Sequence, residues 1–161
     1  MKTDFKILIN KLSQSGVDFV LIGGLAASAY GSTYVTHDLD VCAVLTPENI
    51  EKLRSILEEL HPKHRMMIPM KSFLEIPENL EGINNLYLST DAGVLDLISN
   101  VAGVGNFSEV SKSAIEISVF GNKCKVISLG DLIRCKKTLK RPKDLLVASE
   151  LEAIRQKTGD K

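Results

Sequence analysis

The sequence predicts a mixed α/β (α+β) fold, a mixed twisted β-sheet flanked by helices. Three observations predict it. Residues 18–22, a short run of strand formers, meet Gly23-Gly24 and then the helix formers of residues 25–29, which gives strand, tight turn and helix. Two pairs of apolar runs, 84–89 with 93–98 and 115–120 with 124–127, are joined by turn-forming residues and read as hairpins. Helices and strands mix without strict alternation, so the hairpins imply a mixed sheet rather than a purely parallel one.

In chain order, residues 2–14 place Phe5, Leu8, Ile9 and Leu12 at helical spacing, with Gly16 where a helix stop belongs. Gly31 closes the helix that follows the glycine pair, and residues 34–45 read as a second strand carrying Asp38 and Asp40. Thr46-Pro47-Glu48-Asn49 caps a helix through about residue 60, with Pro47 in the first turn, where its missing N–H costs little. Residues 61–81 contain Pro62, Pro69 and Pro77 and show no clean period; they read as irregular, with one short strand near 66–70. Thr90-Asp91-Ala92 and Gly121-Asn122 form the hairpin turns. Ser128 or Asp131 begins a helix through about residue 139, and Pro142 opens a last one through about residue 156.

A chain of 161 residues suits one domain, 1–161, with a helical C-terminal segment 128–157. Hydrophobic residues make up 44% and charged residues 25%, which excludes a largely disordered or collagen-like chain. No apolar run approaches the roughly 20 residues that cross a bilayer, and the first residues intersperse charges unlike a signal peptide, so no membrane and a cytoplasmic location are expected. Cys42, Cys124 and Cys135 are scattered, without metal-binding spacing, and read as reduced thiols. Net charge is zero, so any polyanion site must be local.

Asp38 and Asp40, one residue apart on a predicted strand, share one face while Leu39 points to the core. Carboxylates held that close repel, and hard oxygen ligands of this kind suit Mg2+ or Mn2+. An isolated Asp-x-Asp is more often a solvated strand face, so the context matters. Gly23-Gly24 stands upstream at a strand-to-helix turn, where glycine admits a phosphate to the backbone and the helix start attracts it, although a turn that merely needs glycine reads the same way. Asp96 interrupts the apolar strand 94–98, where an acid is expensive to bury without a cation. Were its strand to lie beside that of Asp38 and Asp40, three carboxylates would converge.

The run IGGLAASAYGSTYVTHDLDVCA, with the later acid, resembles the signature of the polymerase-beta-like nucleotidyltransferase superfamily, and LIRCKKTLKRPKDLLVASEL resembles the C-terminal helices of minimal nucleotidyltransferases related to abortive-infection toxin–antitoxin systems. The resemblance implies the nucleotidyltransferase fold and transfer of a nucleoside monophosphate from an NTP, ATP or another, to a hydroxyl of RNA, protein or a small molecule. It makes Gly23 and Gly24 the triphosphate turn, Asp38, Asp40 and Asp96 the catalytic ligands of two Mg2+ or Mn2+ ions, and Thr36, Lys136, Arg141 and Asp144 nucleotide-binding residues. Tyr34 and Val147 depart from the pattern, standing where many relatives have Arg and Asp. With 161 residues there is little room for a separate acceptor-binding domain, so a second subunit or a partner protein is expected to supply that surface. The alternative is a catalytically weak module of the same fold that binds nucleotide or a partner, such as a toxin–antitoxin component.

Other residues read more plainly. Lys136, Lys137 and Lys140 share a helix face open either to solvent or to a phosphate chain. His61 and His64 are expected in an exposed loop, His37 in packing or at the surface, and Met66, Met67 and Met70 as core or loop filler.

Overall fold

The computed structural model of the chain describes residues 2–159; Met1, Asp160 and Lys161 of the expected domain lie outside the described residues. The first helix, α1 (Phe5–Gln14), buries Leu8, Ile9 and Leu12, and Asp4 caps it by accepting from the Ile7 N–H. Strand β1 (Phe19–Ile22) runs directly into α2 (Gly23–Ala29), and β2 (Asp38–Ala43) follows. Helix α3 (Pro47–Leu57) starts at Thr46, whose hydroxyl oxygen accepts from the Asn49 N–H at 3.1 Å, and a 3-10 turn (Glu58–Leu60) ends it. Strands β3 (Lys63–His64), β4 (Asn85–Thr90) and β5 (Gly93–Ile98) come next.

A small hairpin, β6 (Asn100–Val101) with β7 (Gly105–Asn106), leads into α4 (Phe107–Ser113), in a stretch to which the sequence pattern assigns no element. The second hairpin is β8 (Ile115–Val119) with β9 (Asn122–Val126). Helix α5 (Leu129–Leu139) is capped by Ser128, which accepts from the Asp131 N–H, so Ser128 rather than Asp131 begins it. Lys140, at φ +59, breaks the helix, and α6 (Pro142–Thr158) starts on Pro142.

Seven strands form one mixed sheet in the order β3-β4-β5-β2-β1-β9-β8. The hairpins pair antiparallel, whereas β2 with β5 and β1 with β9 pair parallel. One face is closed by the core: Leu39, Leu88, Leu95 and Leu97 are fully buried. The alternation of buried and half-buried positions along β4 and β5 leaves the other face for Tyr87 and Asp96. No helix among the described residues is long and apolar enough to cross a membrane.

Three sequence expectations are corrected here. The strand expected at 66–70 lies instead at β3, pairing Lys63 with Ser89 and His64 with Leu88. Pro69 has no N–H to give a ladder, and Met66, Ile68 and Met70 face solvent, Ile68 almost completely. His64 is buried, not exposed: its ring Nε2 donates to the Ile76 carbonyl and its ring meets Phe73 edge-on. Strand β2 is shorter than 34–45, because residues 32–35 bind α6 side chains instead of a neighbouring strand. Ser32 and Thr33 donate to the Glu150 carboxylate, and Lys143 Nζ donates to the Val35 carbonyl.

Candidate active site

The acids come together through strand pairing. β2 and β5 are adjacent and parallel, and the register sets Asp40 directly beside Asp96, with Asp38 two residues earlier opposite Val94. Adjacent strands lie about 4.8 Å apart, so one face carries three carboxylates while Leu39, Leu95 and Leu97 fill the core behind them. The electrostatic consequence is large at Asp40. Burial, then the charges of Asp96 and Asp38, push its pKa up to about 7, although Lys136 and Arg65 pull it back. The Asp96 carboxyl is also raised, chiefly by burial, against a hydrogen bond and a charge from Arg65.

The glycine pair has a steric reason. Gly23 adopts φ +67, and a Cβ there would stand 2.4 Å from Asp40 Oδ2. At Gly24 a Cβ would meet the Thr36 Cβ and Oγ1 at 2.5 Å. Backbone thus presses against the Asp40 carboxylate and against the Thr36 side chain, whose hydroxyl donates to the Asp38 carbonyl at 3.2 Å. The chain that turns into α2 and the strand that follows are locked together by these contacts.

The basic groups come from α5 and α6. Asp144, almost fully buried, binds Lys136 Nζ at 3.4 Å and Arg141 Nε at 2.5 Å. Burial alone would raise its pKa, but the Arg141 hydrogen bond and the two cations outweigh that and hold it below the usual range. Asp144 therefore positions two cations between itself and Asp40. Two adjoining cavities collect all nine sequence-predicted residues. One, of about 270 Å³, is lined by Gly24, Thr36, Asp38, Asp40 and the Lys136, Arg141 and Asp144 cluster. The other, of about 370 Å³, is lined by Gly23, all three acids, Lys136 and Arg141.

Sequence reasoning missed Arg65. Its Nη2 donates to Asp96 Oδ1 at 2.5 Å and its guanidinium lies over the Tyr87 ring, 5.8 Å from the centroid, while among the described residues its buried Nε has no hydrogen-bond partner. It sits in the aperiodic stretch after β3, where no local signal marks it. Ser32, which lines the smaller cavity with Lys143, carries no sequence signal either; Asn85, Tyr87 and Asn100 line the other.

The donor chemistry fits a hard divalent cation. Among the described residues the Asp38 and Asp40 carboxylates accept no hydrogen bond, and Asp40 is raised first by burial and then by the charges of Asp96 and Asp38. Asp96 is held by Arg65, and among the described residues no three carboxylate, histidine or cysteine side chains are gathered to hold an ion as they stand. Asp38, Asp40 and Asp96 are the residues that would hold Mg2+ or Mn2+.

The fold is that of the nucleotidyltransferases. The lincosamide antibiotic adenylyltransferase LnuA, in its lincomycin-bound crystal structure, superposes with a TM-score of 0.61 at 17% identity, over 96% of this chain and 99% of that one. The antibiotic-resistance factor ANT(2'')-Ia is similar in two structures: in solution (TM-score 0.53, 16% identity, 95% of this chain and 87% of that one) and in a crystal complex with adenylyl-2''-tobramycin (0.52, 16%, 94% and 91%). At these identities the likeness is one of fold. No family model matches the chain, and no curated protein matches it.

Proposed function

We propose that the protein is a metal-dependent nucleotidyltransferase that moves a nucleoside monophosphate from an NTP to a hydroxyl of a small molecule. The observation that carries this reading is the register that sets Asp40 beside Asp96, with Asp38 on the same face. The antibiotic substrates named for the neighbouring structures support a small-molecule acceptor over RNA or protein. Free Cys42, Cys124 and Cys135 suit a reducing, cytoplasmic setting.

The smaller cavity would take the nucleotide. Lys136 and Arg141, braced by Asp144, face the triphosphate; Gly24 and Thr36 lie where the chain approaches it. The acceptor oxygen bonds the alpha phosphorus as the bond to the beta-phosphate oxygen breaks, and pyrophosphate leaves. Asp96, on the side away from the basic cluster, takes the hydroxyl proton. Bound to the three acids, two divalent ions would supply charge neutralisation for the pyrophosphate and acidify the hydroxyl.

Incubation with each alpha-labelled NTP, magnesium or manganese, and small-molecule, tRNA and protein acceptors tests the reading. Label transfer that disappears in Asp38→Ala/Asp40→Ala is expected. Nucleotide-dependent thermal stabilisation without transfer would leave the second reading, a catalytically weak binding module paired with a partner protein in a toxin–antitoxin system. One observation favours that reading: Arg65 already occupies Asp96 Oδ1.

A further inference from the structure

We propose that the acid-bearing face of the sheet continues past Asp96 as a groove that seats an uncharged, hydroxyl-bearing acceptor with an apolar face, and that Asn85, Tyr87 and Asn100 set this preference. The inference rests on the transfer activity proposed above. In the antiparallel pairing of β4 with β5, Tyr87 lies opposite Asp96 and Asn85 opposite Ile98. The period of two therefore lays Tyr87, Asn85 and Ile98 in a row leading away from the acids. Asn85 and Asn100 line both the cavity that holds the acids and a wider hollow of about 840 Å³, so the two spaces adjoin at these amides.

The lining chemistry selects the ligand. Among the described residues, no Asp, Glu, Lys or Arg lines the acid-bearing cavity apart from the three acids, Lys136 and Arg141, and in the wider hollow Glu81 is the one such residue. Among the described residues the Asn85 and Asn100 amides have no hydrogen-bond partner. Each offers a donor and an acceptor, the pairing that hydroxyl groups satisfy. Tyr87 is 38% exposed, and Ile98 and Leu139 add apolar surface. Once metal claims the three acids, a polyamine would find one carboxylate along this path. An RNA backbone would need a row of cations there, yet beyond Lys136 and Arg141 at its inner end the path offers Arg65 alone, paired with Asp96 and set over the Tyr87 ring.

The test uses the full chain with alpha-labelled NTP and magnesium, offering octyl glucoside below its micelle concentration, the polyamine tobramycin, or total tRNA. Octyl glucoside is expected to be labelled. Tyr87→Ala and Asn85→Ala should raise the acceptor KM about tenfold with the NTP KM unchanged, and Asn85→Asp/Asn100→Asp should shift labelling toward tobramycin. Labelling of tobramycin or tRNA but not of octyl glucoside by the wild type overturns the proposal, as does an acceptor KM indifferent to these changes. Saturation-transfer NMR of octyl glucoside with wild type and Tyr87→Ala reads the groove without turnover: binding lost in the variant supports it, and no binding to wild type overturns it. Absence of both nucleotide-dependent thermal stabilisation and transfer would remove the proposed activity, while a positive NMR result would leave the groove standing.

Discussion

Asp40 concentrates the tension of the site in one carboxyl group. Its folded pKa of about 7 stands above the ordinary 3.8, so between those values the folded state binds more protons than the unfolded one. The penalty is absent below about pH 4, grows as pH rises, and is complete above about pH 7. Asp40→Asn should therefore leave stability unchanged at pH 4 and raise that of the metal-free protein by on the order of 3 kcal/mol at pH 8, measured by urea unfolding. Divalent metal should narrow the gap by stabilising the wild type alone, and chelator should restore it. Gly23 belongs to the same contact. Gly23→Ala forces a Cβ against Asp40 Oδ2 at positive φ and is expected to cost on the order of 2 kcal/mol; unfolding as stable as wild type would contradict the close approach.

Elements carry the next layer, because side chains act here through what holds their backbone. The connection between α2 and β2 is fixed by Glu150 of α6, whose carboxylate takes the Thr33 N–H at 3.1 Å and both hydroxyls of Ser32 and Thr33. These bonds hold the Glu150 pKa below its usual value. Glu150→Ala should abolish hydrogen-exchange protection at Thr33 and raise the NTP KM, since Thr36 and Gly24 depend on that connection; unchanged protection would show the loop to be held otherwise. After β3 the chain delivers Arg65 to Asp96. Arg65→Ala should free that carboxylate and tighten manganese binding several-fold by calorimetry, and weaker binding would mean that the guanidinium helps assemble the acids rather than blocking them.

At the scale of the whole molecule, the proposed nucleotide pocket joins two parts of the fold: α2 and β2 with the segment between them, and the α5–α6 pair. A ligand that touches both and binds only the folded state adds stability by mass action. Magnesium with the preferred NTP at a hundredfold its Kd should add about 2.7 kcal/mol to unfolding. That increment should vanish in Asp38→Ala/Asp40→Ala, and its persistence there would move the nucleotide elsewhere. The order β3-β4-β5-β2-β1-β9-β8 places the acids at the middle of the sheet, where parallel pairing between distant segments sets their distance.

What the sequence by itself determined is local. The period of two put Asp38 and Asp40 on one face, the glycine pair marked the turn, and Thr46, Pro47 and Pro142 marked helix starts, because each signal is written within a few neighbouring residues. Tertiary structure alone decided the rest. It paired β2 with β5 so that Asp96 reached Asp40, turned Asp144 into the brace of Lys136 and Arg141, and carried Arg65 from an aperiodic loop into the site. Register between remote strands and the burial of a lone charge depend on packing across the whole sheet, and no local period encodes them.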